Sequence, residues 1–169
     1  MIFIFPTQEE AQLFVEKAPT AHIEISGVAM AACGSTVARC AVEYPGEMLI
    51  LAGIAGGYDV AVGEVVEVVE ERIEELPSKY AKRYQNRPHF ADLKSVTSNT
   101  VSSSGHKSST ANIENMEGAA LFAICAALGV KCAEVRAISN SVGAPFDEWK
   151  IEEALEALTA KLIEIWQCK

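Results

Sequence analysis

Five places along the chain carry residues able to do chemistry, each just past an apolar run or at the start of one. Glu10 follows the first apolar run. Gly53-Ile54-Ala55-Gly56-Gly57 follows the third, and the polar stretch 97–104 comes next. Asn115-Met116-Glu117-Gly118 opens an alanine-rich segment, and Ser139-Asn140 closes the last apolar run. A positioned carboxylate can orient and deprotonate water, or stabilise a cation developing beside it; a carboxamide offers a donor and an acceptor together. Taken singly, each feature also has a local reading. Thr7-x-x-Glu10 fits a capping box. Glu117 at a helix start can complement the helix dipole. The glycines fit a tight turn, and Asn140 can cap its own turn. The glycine run neither opens a helix nor has dinucleotide spacing, which sets a Rossmann site aside. The five features together favour a site over five separate local devices.

Residues 1–5 form a short apolar run and are predicted to be a buried strand. A helix opens at Thr7 and runs to about Lys17. Residues 28–33 form a second apolar stretch; Gly34 and Ser35 lead into a helix ending near Glu43, stopped by Tyr44-Pro45-Gly46. Residues 48–52 are apolar throughout, as in a strand covered on both faces, and run into the glycine loop. Residues 63–75 fit both a strand, through their valines, and a helix face; the first half is read as strand and its glutamates as a solvated face. Residues 77–89 read as a loop or short helix, 93–101 as a strand and 102–110 as a flexible loop. Residues 115–128 should form a buried helix capped by Gly129, 133–139 the last strand, and 147–167 an amphipathic terminal helix. Alternating strands and helices indicate an α/β domain with a largely parallel sheet. Ligands bind at the carboxyl ends of such strands. The residues just after Phe5, Ala52, Val101 and Ser139 are therefore where a ligand is expected.

Composition narrows the function classes. The net charge is −9, from 14 Lys+Arg against 23 Asp+Glu, so nucleic acid would be repelled rather than held. No stretch reaches membrane-spanning length, and the N-terminal run is too short and too uncharged for a secretory leader. A cytoplasmic location is the default expectation. Cys33, Cys40, Cys125 and Cys132 lie in apolar runs and read as buried free thiols, with Cys168 apart. His22, His89 and His106 share no ligand spacing, and no metal site is expected.

The ordered segments Gly53-Ile54-Ala55-Gly56-Gly57, Val62-Gly63-Glu64-Val65-Val66, Asn115-Met116-Glu117-Gly118-Ala119-Ala120 and Val135-Arg136-Ala137-Ile138-Ser139-Asn140 resemble the signature of nucleoside phosphorylases and methylthioadenosine/S-adenosylhomocysteine nucleosidases. The last two, followed by Trp149-Lys150-Ile151, are most similar to futalosine hydrolase, a menaquinone-pathway nucleosidase. The first strand with Glu10 also matches. The resemblance implies a three-layer α/β fold, with a central mixed, mostly parallel sheet flanked by helices, residues 1–169 forming a single domain. The form is shortened, compressed between Pro19 and Val28, where a strand hairpin is expected, and between Ser103 and Glu114. It also implies a cofactor-free homodimer acting on a small purine nucleoside.

Cleavage of an N-riboside passes through a cationic sugar, as O-glycoside hydrolysis does. By resemblance Glu10 handles the attacking water and Glu117 grips the ribose and stabilises its charge. Met116 lies against the sugar, and Ala55, Gly56, Val101, Ser102 and Asn115 complete the substrate contacts. Asn140 stands where nucleosidases acting on adenine nucleosides carry an aspartic acid. Its donor and acceptor suit a 6-oxopurine, whose O6 accepts and whose N7–H donates as the base leaves. The expected activity is hydrolysis of futalosine or a related 6-oxopurine nucleoside, releasing hypoxanthine. Methylthioadenosine/S-adenosylhomocysteine nucleosidase and purine nucleoside phosphorylase remain alternatives. The second is disfavoured because Arg39 is the only basic residue between Lys17 and Arg72. A shortened, non-catalytic nucleoside-binding protein is the alternative from another class.

Overall fold

The computed structural model describes residues 1–108 and 110–168. Eight strands form one sheet: β1 (Ile2–Phe5), β2 (His22–Ile25), β3 (Leu49–Gly57), β4 (Val65–Arg72), β5 (Arg83–Gln85), β6 (Lys94–Thr100), β7 (Ile113–Asn115) and β8 (Cys132–Ser141). Four helices accompany them: α1 (Gln8–Lys17), α2 (Met30–Glu43), α3 (Gly118–Leu128) and α4 (Ile151–Gln167). Five strand pairings are parallel and three antiparallel, as the mixed, mostly parallel expectation required. β3 is the hinge of the arrangement. Its first residues pair with β1, which carries β2 outward; its last two pair with β7. Along its other edge it pairs with β8, β8 with β4, β4 with β6, and β6 with β7. These five strands close into a small barrel, which leaves no free edge among them.

The period-2 alternation of strand side chains sorts the core into two layers. Ile2, Ile4, Leu49 and Leu51 pack with Cys33, Val37 and Cys40 of α2 and Leu121, Phe122 and Cys125 of α3. Phe3, Phe5, Ile50 and Ala52 face the other way, onto Phe14 of α1 and Ala154, Leu158 and Leu162 of α4. The Phe14 ring lies 4.7 Å from that of Phe3, centroid to centroid. With both faces covered, the continuous apolar runs at β1 and β3 have their explanation. Cys33, Cys40, Cys125 and Cys132 are buried free thiols and Cys168 is exposed, as read from the sequence. No described helix is long and apolar enough to cross a membrane.

Several elements differ from the sequence reading. The glycine segment is not a loop: it is the carboxyl half of β3, hydrogen-bonded on both edges. α2 begins at Met30 rather than after Gly34. Gly34 lies inside it, where a Cβ would stand 3.1 Å from Ile124 of α3, so it serves close helix–helix approach rather than a helix start. β2, β5 and β7 are short strands that periodicity could not register, because three or four residues hold too few alternations. α3 starts at Gly118 and is buried only over its first two turns; Leu128 is exposed. A single 3-10 turn, Phe146–Glu148, precedes α4, which opens at Ile151. The described residues of 102–110 form no regular element; Ser109 lies outside the described residues.

The largest correction concerns β4. Its glutamates do not make a solvated face: Glu67, Glu70 and Glu71 are buried. Glu67 accepts from the backbone amides of His89 and Phe90, at 2.8 and 3.0 Å. Glu70 pairs with Arg72 and Gln85. Glu71 accepts from the Thr100 hydroxyl and the Asn115 amide, each at 2.6 Å. These side chains are covered by the segments packed on the faces of β4, so their charges must find partners there.

Candidate active site

A cavity of about 300 Å³ opens at the carboxyl ends of β1, β3 and β8. Pro6, Thr7 and Glu10 enter it from the β1–α1 junction, Ile54, Ala55 and Gly56 from β3, and Val101 and Ser104 from beyond β6. Glu114, Asn115, Met116 and Glu117 come from β7 and the start of α3, Ser139 and Asn140 from β8. Val28, Trp149, Ile151 and Leu155 add apolar wall. Eight of the nine residues singled out from sequence line this one cavity. Ser102 does not; its hydroxyl and amide are held by Glu75, at 2.8 and 3.1 Å.

Glu10 reaches the cavity because α1 starts directly after β1. Thr7 caps the helix, its hydroxyl oxygen accepting from the Glu10 amide at 3.1 Å. Half of the capping box is thus made, but the Glu10 carboxylate does not close it. Oε2 accepts from the Thr7 hydroxyl (2.9 Å), and Oε1 crosses to β3 to accept from the Ile54 amide (3.0 Å). Gly53 makes room for this: a Cβ there would stand 2.8 Å from both Glu10 Oε1 and Arg136 Nη1. Burial raises the Glu10 carboxyl above the ordinary carboxylate range, against the lowering pull of the Ile54 amide and the Arg136 charge.

Glu117 was open to a reading as a dipole-complementing residue, but Asn115 caps α3. Asn115 Oδ1 accepts from the amides of Glu117 and Gly118, at 2.8 and 2.7 Å, while its Nδ2 donates to Glu71 and Ser98. The Asn115 side chain is therefore spent on positioning, and the Glu117 carboxylate is free to face inward. Its Oε1 accepts from the Ala29 amide (3.0 Å) and its Oε2 from Arg136 (3.2 Å). Ala29 has φ +74°, the only positive φ at a non-glycine among the described residues. That backbone is strained, and strain persists where surrounding contacts over-determine it, as the Glu117 carboxylate does here.

Beneath these residues lies a buried ionic cluster that sequence reasoning left without a role. Arg136, 1% exposed at its side chain, donates to Glu134 (2.8 Å), to Glu117 and to Asn115 Oδ1 (3.1 Å). Glu134 lies against Glu71, and burial raises both carboxyls, Glu71 well above the ordinary range; the Glu134 charge raises Glu71 further, while Glu134 is held down by Arg136 and by its hydrogen bond with Glu71 against the raising charge of Glu117. A proton on Glu71 supplies the donor that Glu134 Oε2 otherwise lacks. The pair is seated over Gly118, where a Cβ would come within 2.4 Å of Glu71 Oε1 and Glu134 Oε2. The sequence did carry a signal for this cluster. Glu134 and Arg136 alternate within an otherwise apolar strand, and charges on a buried strand occur only when paired.

Asn140 owes its position to a bulge. Ala55 pairs with Ile138 and Gly56 with Asn140, so Ser139 is the extra residue. Bulges re-aim side chains at strand ends. The Asn140 amide is then fixed: Oδ1 accepts from the Ser139 hydroxyl (2.8 Å) and Nδ2 donates to the Ser141 carbonyl (3.1 Å). One N–H and one oxygen lone pair remain for a ligand.

Residues 94–166 match the family model of the Phosphorylase superfamily. A futalosine hydrolase of Thermus thermophilus is 31% identical, over 79% of this chain and 75% of its own length. A mutant of futalosine hydrolase from Helicobacter pylori superposes with a TM-score of 0.82 at 12% identity, covering 99% of this chain and 98% of that one. The 5'-methylthioadenosine/S-adenosylhomocysteine nucleosidase of Helicobacter pylori, solved with butyl-thio-DADMe-Immucillin-A, superposes with a TM-score of 0.85 at 14% identity, covering 99% and 97%. At those identities the two structures speak for the fold; the family rests on the Thermus relative. With its three-layer sheet, its cavity at the strand ends and that relative, the chain belongs to the Phosphorylase superfamily, beside futalosine hydrolase, and is an N-glycosyl hydrolase.

Proposed function

We propose that the protein hydrolyses the N-glycosidic bond of a 6-oxopurine nucleoside, futalosine or one related to it, and releases hypoxanthine. The observation that carries this reading is the cavity lining. It holds four glutamates (Glu9, Glu10, Glu114 and Glu117) and the amide of Asn140, with no lysine, arginine or histidine among the described residues. Such a lining repels a phosphate nucleophile and favours a sugar that becomes cationic as the base departs. Glu10, ionised, takes a proton from the water that attacks the anomeric carbon. Glu117, steadied by Arg136 and the Ala29 amide, holds ribose hydroxyls and faces the positive ring. Asn140 donates to O6 or N7 in the nucleoside; as the C1′–N9 bond breaks, N7 takes a proton from solvent water, and Asn140 then accepts from N7–H of the neutral base. Met116 and the backbone of Ala55 and Gly56 form the bed on which sugar and base lie. The same reading takes the protein as a cytoplasmic homodimer of one domain, acting in menaquinone biosynthesis.

The test compares base release from futalosine, inosine and methylthioadenosine, with Asn140→Asp beside the native protein. Hypoxanthine should be released in preference to adenine. In the variant an ionised carboxylate would oppose O6 with a second acceptor, a mismatch worth about 1–3 kcal/mol. The ratio of 6-oxopurine to 6-aminopurine kcat/KM should therefore fall about tenfold or more. Preferential adenine release by the native protein would overturn the substrate class.

A further inference from the structure

Glu71 is a fully buried glutamate of β4 that does not line the cavity, and the cleavage chemistry gives it no task. Three separate routes nevertheless lead from it to residue 117. Its Oε1 accepts from Asn115 Nδ2 (2.6 Å), which turns Asn115 Oδ1 toward the amides of Glu117 and Gly118. Its Oε2 accepts from the Thr100 hydroxyl (2.6 Å), whose oxygen in turn accepts from the Ala119 amide (2.9 Å). The amides of 117, 118 and 119 are thus all oriented by groups bonded to Glu71. The third route is ionic. Glu71 lies against Glu134, Glu134 holds Arg136 Nε (2.8 Å), and Arg136 Nη2 donates to Glu117 Oε2 (3.2 Å).

The geometry of the pair requires a proton. A Cβ at Gly118 would overlap Glu71 Oε1 and both Glu134 oxygens, so the two carboxyls close on one point. Two carboxylates sharing a site this closely cannot both ionise. Glu134 Oε2 has no donor among the described residues unless Glu71 carries that proton. The raised Glu71 carboxyl agrees with this placement. The charges facing the pair are Arg136 and Glu117, with Glu10 acting on Arg136 from the far side. β6 and β7 present the neutral Thr100, Ser98 and Asn115. α2 presents the Cys33 thiol, which burial pushes up to about 12 and so keeps neutral.

We infer that Glu71, carrying the proton it shares with Glu134, is a positioning residue that holds the first turn of α3 and the Arg136–Glu117 pair, and so keeps the Glu117 carboxylate aimed into the cavity. The inference rests on the ribose-binding role given to Glu117 above and deepens it. With the proton in place the pair carries one negative charge, and Arg136 is divided between Glu134 and Glu117. Loss of the proton sets a second negative charge against Glu134 and draws Arg136 from Glu117 toward the pair. Ribose then meets a carboxylate that has lost part of its support.

Two variants separate the proton from the residue. In Glu134→Gln the new oxygen accepts from Arg136 Nε and the new nitrogen donates to Glu71, which can then stay ionised with every contact kept and no proton to share. Glu71→Met removes the hub itself. The test measures calorimetric binding of a C-nucleoside analogue of inosine, which has no C–N glycosidic bond to cleave, over a rising pH series, with KM and kcat for inosine beside it. The native protein should bind the analogue about tenfold or more weakly once the pair has lost its proton, and Glu134→Gln should not. Ionisation of the analogue itself is common to both and cancels in their ratio. Glu71→Met should bind about tenfold or more weakly throughout, with KM for inosine changed more than kcat. Parallel pH curves for the native protein and Glu134→Gln overturn the inference and need no Glu71 variant. Native-like binding by Glu71→Met, with only its melting temperature lowered, overturns it too, and would mean that Glu71 serves stability alone. The predicted binding pattern without cleavage of any nucleoside would instead contradict the hydrolytic reading and leave the role of Glu71 standing.

Discussion

A Glu10→Gln variant is expected to lose turnover by about 10²- to 10⁴-fold, the usual scale for removing a general base, while keeping the fold. Glutamine can keep both contacts of the native side chain, its oxygen accepting from the Ile54 amide and its nitrogen donating to Thr7. The cap on α1 survives, because it is the Thr7 hydroxyl that accepts from the backbone of residue 10. A purely structural Glu10 predicts the opposite pattern: a stability loss of about 0.5–2 kcal/mol and unchanged turnover per folded molecule. The pH dependence separates them further. Burial raises the Glu10 carboxyl in the folded state, so the acid limb of kcat/KM should lie above the ordinary carboxylate range. The stability linkage has a definite sign. The raised carboxyl stabilises the fold fully below its unfolded value, and this contribution is lost as pH rises through the folded value. The glutamine variant, having no proton to lose there, should show a flatter stability profile over that window. Rates and melting temperatures on the same samples decide the matter.

The second large effect is expected at Arg136. Replacement by methionine leaves Glu134 and Glu117 buried without their cation, and removes the bond to Asn115 that helps fix the start of α3. Breaking a buried pair in this way costs about 3–5 kcal/mol. For a chain of this length each kcal/mol lowers Tm by about 2–4 °C. Adding Glu134→Gln to Arg136→Met should restore part of the loss, since one of the stranded charges is gone. Urea unfolding of the single and double variants measures both. A loss under about 1 kcal/mol for Arg136→Met would mean that the cluster takes up its charge by protonation and that Arg136 does not hold Glu117 in place.

The long elements were legible because their patterns are long. The apolar run at β1, the amphipathic spacing of α4 and the Gly129 cap each needed only local rules, and the structure has them. Glu10, Glu117 and Asn140 were brought to one cavity by a topology rule, ligands at strand ends, rather than by anything visible at each residue. What stayed hidden depended on the closed barrel. Glutamates on β4 look solvated until β8 and β6 cover both edges of that strand and its neighbours fill the interior. The glycines of β3 look like a turn because glycine is common in turns. Here Gly53 yields space to Glu10 and Arg136, and Gly56 yields space to the side chains of Val142, Asn140 and Glu114. Ser102 missed the cavity because Glu75 draws it outward.

The central claim is that water, delivered by Glu10, attacks the nucleoside in a site with no cation among its described lining residues. The most direct measurement is product analysis with inosine or futalosine in phosphate-free buffer, followed by phosphate addition. The account predicts hypoxanthine and a free sugar in equal amounts without phosphate, at a rate that phosphate does not raise. Base release that begins only when phosphate is added, with a sugar 1-phosphate as the product, would contradict it.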